Sequence, residues 1–330
     1  MNETLAALSE RFIRSRDAVK DVLRWENHLI YPICANIFCA RGATPDAARL
    51  EAARTCLKEK TGVFSNFRGS VSAPAICLLS LAPDPAARMA RVTEIYAVLK
   101  EYFMGAQYLA LAALILSELQ PEGSVGETAA RARVLYERMK KEHPLLTSAE
   151  DTVFAMLCAR SEKSDDALLE EMEICYRALK TRFSSGNSVQ SATHVLALAP
   201  GAPQEKTAKM LALYDAIRAH GGKYGKYHEL AVLAALSVLG VSPETAAEEI
   251  VGVSEWLRGQ KGYGVLGIDA RTRAMHAAML VADCYAPAAS EAGVAAQAAQ
   301  QTAAVAMIAA QQAAMVAVIS ASAAASSASH

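Results

Sequence analysis

Long apolar runs alternate with charged stretches along most of this chain. The clearest run is Tyr108-Leu-Ala-Leu-Ala-Ala-Leu-Ile-Leu-Ser-Glu-Leu119. It recurs as Val153-Phe-Ala-Met-Leu-Cys158, Thr193-His-Val-Leu-Ala-Leu198 and Glu229-Leu-Ala-Val-Leu-Ala-Ala-Leu-Ser-Val238. Ahead of each run the chain closes on an aromatic, two residues, an aliphatic and a base: Tyr96-x-x-Leu99-Lys100, Tyr136-x-x-Met139-Lys140, Tyr176-x-x-Leu179-Lys180 and Tyr214-x-x-Ile217-Arg218. Weaker copies are Leu57-Lys58 and Trp256-Leu257-Arg258, so the bases stand at 58, 100, 140, 180, 218 and 258. A period of about 40 residues marks an array of two-helix units. Each unit is predicted to hold a helix A ending at the base, a short loop often containing Gly, and an apolar helix B. A cation at the end of helix A complements the negative end of the helix dipole.

Breakers separate each B from the next A: Pro83 and Pro85, Pro121, Ser164-Asp-Asp166, Pro200-Gly-Ala-Pro203 and Ser242-Pro243. Ser242-Pro243 and Thr44-Pro45 both read as an N-cap with proline at the first helical position. Residues 1–60 predict an N-terminal helical cap of three helices: Glu3 to Trp25, His28 to Ala40 (kinked or started by Pro32), and a third opening at Thr44. The repeat spans 61–286. Residues 287–330 form an Ala/Gln/Ser-rich tail with no charged side chain between 292 and 329. Alanine favours a helix there, and Val294, Ala298, Gln301, Val305, Ile308, Gln312, Met315 and Ile319 make a heptad seam. Docking on the array or on a second subunit fits this seam best. A mobile tail is the next reading, and five glutamines weigh against a membrane helix. The fold class is therefore all-α: about six helical hairpins, as an open α/α solenoid or a closed toroid, behind an N-terminal cap.

Composition agrees with packed helices. The chain has 330 residues, 53% hydrophobic and only 6% aromatic. A net charge of −1, from 33 bases and 34 acids, supplies no global field toward nucleic acid or an anionic membrane. One loop, Lys223-Tyr224-Gly-Lys226-Tyr227-His228, mixes bases with aromatics as single-stranded nucleic acid sites do, and alone it is a weak signal. The seven cysteines are odd in number, lack a CxxC pair and sit mostly in apolar runs. They read as buried hydrophobes in a reducing cytoplasm. The start Met1-Asn-Glu-Thr-Leu lacks a secretory pattern, and no apolar run in the body is long enough to span a bilayer.

Catalytic signatures are absent: no HExxH, GxGxxG, Walker loop, GxSxG or paired-Cys zinc spacing. No metal and no cofactor are expected. Two polar segments remain, His143-Pro-Leu-Leu-Thr-Ser-Ala-Glu-Asp151 and Gly186-Asn187-Ser-Val-Gln190-Ser-Ala-Thr-His194. Seven residues after the base stand Gln107, Thr147, Asn187 and Gly225, so this position is expected to start helix B, with Thr147, Ser148 and Asn187 as caps. His194 takes the place of Leu114, Phe154 and Val232 and reads as a core histidine. His143 stands where Phe103 and Phe183 stand and reads as a loop anchor. Ten and eleven residues after the base lie Glu150 and Asp151, Gln190 and Ser191, His228 and Glu229. In a stacked array these positions form a polar row, with units roughly 10 Å apart. Its bland reading is a set of solvated first turns. Its functional reading is a site for a basic peptide, a metal or acid–base work.

At these two segments the chain resembles the uncharacterised bacterial domain-of-unknown-function family DUF4003. The likeness rests on His143-x-Leu-Leu-Thr-Ser-x-Glu-Asp151, on Gly186-Asn187-x-x-Gln190 and on the surrounding tyrosine-to-lysine units. It implies a soluble helical bacterial protein and supplies no catalytic residues. The B helices also loosely resemble the inner helices of α/α-toroid prenyltransferases and terpene cyclases, but DDxxD and DxDD are absent. The leading functional expectation is a binding or scaffold module for a peptide or protein partner, with a possible homo-oligomer through the tail. The alternative is an enzyme with an acidic/His pocket at the starts of the B helices. Binding candidates are His143, Glu150, Asp151, Asn187, Gln190, His194, His228 and Glu229.

Overall fold

A computed structural model describes residues 1–24, 26–119, 124–227, 229–264 and 267–286. Among them the chain is all-α, with fourteen α-helices and one short 3-10 turn (Gly69–Val71). Two helices come first, α1 (Glu3–Val22) and α2 (Ile30–Cys39). Amphipathic and buried helices then alternate: α3 (Ala47–Lys60) with α4 (Ser72–Leu81), α5 (Pro85–Tyr102) with α6 (Gln107–Leu119), α7 (Val125–Glu142) with α8 (Asp151–Cys158). The series continues with α9 (Asp165–Lys180) and α10 (Gly186–Leu198), α11 (Pro203–Ala219) and α12 (Glu229–Ser237), α13 (Pro243–Arg258) and α14 (Ala270–Tyr285). The Ala/Gln/Ser tail from 287, Pro121 and His228 lie outside the described residues.

The chain divides into two compact units, residues 11–160 in one and residues 1–10 with the described residues from 161 onward in the other. In the first unit each A helix packs on its own B helix, α3 on α4, α5 on α6 and α7 on α8. The A helices also neighbour one another in the order α3, α5, α7, and the B helices in the order α2, α4, α6, α8. The second unit repeats this plan, with α9, α11 and α13 in one row and α10, α12 and α14 in the other. Contacts between consecutive elements are thus those of a helical repeat arrangement. Within this unit the Asn2 amide donates to a Glu249 carboxylate oxygen at 2.7 Å, fastening the start of α1 to α13.

The two helix types follow from their side chains. The A helix α5 buries Met89, Val92, Ile95 and Leu99, a stripe at spacings of three, three and four. The B helices are apolar all round, and α8 and α12 bury every residue they contain. Sharp starts come from short polar caps. The Asp84 carboxylate accepts from the Ala86 and Ala87 N–H groups ahead of Pro85, and the Ser242 hydroxyl accepts from Thr245 ahead of Pro243. The cap of α3 is Asp46, which accepts from Arg49 at 2.8 Å, and not Thr44. Proline precedes that cap instead of following it.

The tyrosine signature has a common environment in three copies. An aromatic ring from the chain N-terminal to each A helix meets the tyrosine edge-on: Phe67 with Tyr96 at 5.1 Å, Phe103 with Tyr136 at 5.7 Å, Phe183 with Tyr214 at 5.0 Å. The base four residues later lies over the same ring: Lys100 at 5.4 Å from Tyr96, Lys140 at 6.0 Å from Tyr136, Arg218 at 6.0 Å from Tyr214. The spacing places base and ring on one helix face, and the cation sits against the negative face of the ring.

A second recurring device closes the B helices. Nine residues before the base, Arg49 donates to the carbonyls of Ser80 and Ala82 at 2.8 and 2.6 Å, and Arg131 to that of Ala159 at 3.0 Å. These satisfy carbonyls that the end of a helix leaves open. In α9 the corresponding position is Glu171, and the cations come from elsewhere. The Lys206 ammonium reaches the Glu171 carboxylate and donates to the carbonyls of Leu196 and Ala199 at 2.6 and 2.8 Å. Lys163 reaches the same carboxylate at 2.6 Å and the Ala197 carbonyl at 2.7 Å. Burial and the neighbouring Lys163 pull the Lys206 pKa down to about 7.

Candidate functional site

Three of the row's residues, at the starts of B helices, are inside the protein. Asp151 is 3 % exposed, Gln190 3 % and Glu229 2 %. The solvated first turn expected from the sequence is not what forms, because these B helices begin within the packed layer. Asp151 opens α8, and one of its carboxylate oxygens accepts the Ser148 N–H at 2.8 Å. This is the returning half of a capping box, Ser148-x-x-Asp151. Burial raises the Asp151 pKa to about 7; the Ser148 bond opposes the shift and Glu150 adds to it. Glu150 is half-buried at the N-cap of α8 and makes no side-chain cap bond.

Glu229 opens α12. Its carboxylate accepts the Tyr227 N–H at 2.9 Å, and its carbonyl accepts the Tyr224 hydroxyl at 3.0 Å. Burial pushes the Tyr224 phenol well above its ordinary range. Gly225 leaves room for this carboxylate; a Cβ there would meet its tip and displace the Glu229 side chain. Gln190 lies in the first turns of α10, whose neighbour in the same unit is α12. Glu150 and Asp151 belong to the other unit.

The remaining candidates separate from the row. His194 is 1 % exposed in the middle of α10, a core position like those of its siblings. His143 caps the end of α7, and its carbonyl accepts the N–H groups of Leu146 and Thr147 at 3.1 and 3.0 Å. Asn187 is exposed in the first turn of α10 and is not its cap. Ser185 holds that role, accepting the Ser188 N–H at 3.4 Å. The B helices accordingly start at Gln107, Asp151, Gly186 and Glu229, and only Gln107 stands seven residues after its base. His228 lies outside the described residues. Among those residues, no group of three or more His, Cys, Asp and Glu is placed to hold a metal ion, and no helix is long and apolar enough to cross a membrane.

A different set of side chains was missed by sequence reasoning. Val63 is 78 %, Phe64 101 %, Met104 92 % and Leu145 96 % exposed. They occupy the A-to-B loops of three successive hairpins, α3/α4, α5/α6 and α7/α8. Successive helices joined by short connections run antiparallel, so these loops share one end of the unit. Bases flank the tips more than acids do: Lys58, Lys60, Lys100, Lys140 and Lys141 against Glu59, Glu101 and Glu142, all exposed. The signal available in the sequence was a large apolar residue beside a breaker, Gly62-Val63-Phe64, Met104-Gly105 and Pro144-Leu145.

The geometry defines an all-α protein of paired helices with an apolar-tipped loop edge. The chain belongs to the family described as "Protein of unknown function (DUF4003)", whose model matches residues 17–313. Searches of curated proteins and of solved structures returned no match.

Proposed function

We propose that this chain is a binding module, and that its working surface is the A-to-B loop edge of the unit formed by residues 11–160. The observation that carries this reading is the set of exposed apolar tips, Val63, Phe64, Met104 and Leu145, on three adjacent hairpins. Scattered single apolar residues on a surface are ordinary, whereas aligned ones on a shared edge mark an interaction site. With neighbouring helices roughly 10 Å apart, the tips suit an extended or helical segment with regularly spaced apolar anchors. The excess of lysine around them favours acidic residues between those anchors. The partner is therefore a polypeptide with an apolar, acid-flanked segment. The alternative reading, an enzyme acting through the polar row, would draw on Asp151. Its carboxylate is enclosed and engaged with the Ser148 backbone.

Photocrosslinking amino acids placed at Phe64 and Leu145 in the native host test the reading. Glu94, exposed on α5 away from the loops, serves as the control position. The expected result is a discrete adduct with a second polypeptide from both tips, absent from Glu94 and lost on Met104→Asp. That exposed substitution should change stability by under about 0.5 kcal/mol. Tips that crosslink no more than Glu94, or adducts indifferent to Met104→Asp, contradict it.

A further inference from the structure

A cavity of about 180 Å3 in the unit of residues 11–160 lies at the junction of α3, α4 and the segment after α1. Four cations line it, Arg24, Arg54, Lys58 and Arg68, against a single acid, Glu26. Arg68 is accounted for by local structure. It donates to the Thr61 hydroxyl at 3.0 Å and to the carbonyls of Lys58 and Thr61 at 2.7 and 2.8 Å, closing the end of α3. Those bonds also hold its guanidinium fixed at the cavity wall. The other three cations have no such explanation. Among the described residues, Arg24 donates only through Nε, to the Asp21 carbonyl at 2.9 Å. Arg54 donates through Nη1 to both oxygens of the exposed Glu51 carboxylate, at 3.3 and 3.5 Å. The Lys58 ammonium has no protein partner among the described residues. Burial raises the pKa of Glu26, and the nearby Arg54 guanidinium opposes that shift.

The second unit has a cavity in the corresponding place, at the end of α13 and the start of α14. It measures about 190 Å3 and is lined by Lys223, Arg258 and Arg273 with Glu255. Arg258 pairs with Glu255 at 2.9 Å, while among the described residues Arg273 gives only its Nε, to the Ser254 hydroxyl at 3.3 Å. A basic recess at the A-to-B junction therefore occurs in both units.

Both volumes fall below the roughly 300 Å3 at which pockets begin to hold drug-sized ligands. There is room for one compact head group and some water. Several guanidinium and ammonium groups with donors to spare, beside a fixed arginine, suit an oxyanion of high charge better than a carboxylate, since a phosphate monoester brings up to two negative charges and three terminal oxygens to a recess lined by four cations and one acid. We propose that the cavity between α3 and α4 binds the phosphate of a phosphomonoester, with Arg24, Arg54 and Lys58 as the groups that recognise it. This site shares Lys58 with the flank of the apolar loop edge, but it does not use the apolar tips, and the variants that test it, at Arg24 and Arg54, leave those tips unchanged.

The test is equilibrium titration of the full chain with inorganic phosphate at constant ionic strength in chloride. A Lys223→Gln, Arg273→Gln background silences the second cavity. The expected result is saturable binding, weakened about tenfold or more by adding Arg24→Gln and Arg54→Gln. The phosphate-free melting temperature should stay within about 2 °C, because both side chains sit at the surface. Sedimentation with phosphatidylcholine vesicles, with and without phosphatidic acid, identifies the source of the phosphate. Binding to the phosphatidic acid vesicles that the arginine variants lose assigns a lipid head group. Binding of free phosphate without vesicle binding assigns a soluble ester. No saturable binding to either below about 10 mM, or equal binding by the arginine variants, overturns the proposal.

Discussion

Asp151 is a carboxyl group in a place that disfavours its charge. The unfolded side chain ionises near pH 4, while burial holds the proton in the folded protein up to about pH 7. Between those values the folded state binds more protons than the unfolded one. The Asp151 contribution to stability therefore falls as pH rises from about 4 to about 7, by at most roughly 4 kcal/mol. Asp151→Asn keeps an oxygen for the Ser148 N–H and carries no charge. It should raise stability at pH 8 by about 1–3 kcal/mol and flatten the pH profile, as read by urea unfolding across that range. An unchanged slope would mean that another group sets the pH dependence. Comparison between repeat copies placed His194 in the core correctly, because Leu114, Phe154 and Val232 occupy its equivalent positions. The same comparison singled out Asp151, Gln190 and Glu229, and the bland reading of them as solvated first turns does not hold, since all three are buried. Polar residues at a helix start ordinarily face water, and the sequence carries no mark that these helices begin inside the layer.

At the scale of the hairpin, burial dominates and charge trims. Leu114 lies fully buried in α6, whereas Lys100 lies exposed over the Tyr96 ring. Leu114→Ala should cost about 2–5 kcal/mol, and Lys100→Ala under about 1 kcal/mol from the dipole and ring contacts together. Thermal melts in the reverse order would mean that A and B helices have been assigned to the wrong layers. Helix identity and the end of each A helix were legible because two separate constraints fix them, the apolar pattern and the tyrosine-to-base spacing. The starts of the B helices were not. Thr147 and Asn187 are both competent caps, yet Ser185 captures the start of α10 and the turn at Ser148–Asp151 delays that of α8. Several cap-type residues in one loop compete, and packing of the helix that follows selects among them.

At the scale of the whole molecule, two units are each assembled from three hairpins by the same rule: an amphipathic helix covers an apolar one, and neighbours of each kind pack side by side. Period and composition make that rule readable, since an apolar helix of this kind is unstable without a cover. The basic cavities and the apolar loop edge were not readable, because they join residues far apart in the chain whose separate signals are ordinary. The loop edge depends on the rule as well. Its tips align only if the hairpins are successive copies in one orientation, with the B helices enclosed behind them. Amide hydrogen exchange on the full chain measures this enclosure directly. The account predicts that α4, α6, α10 and α12 exchange only with global unfolding, while the loops at 61–68, 103–106 and 143–150 exchange within seconds to minutes. Exchange of α6 and α12 as fast as those loops would contradict it.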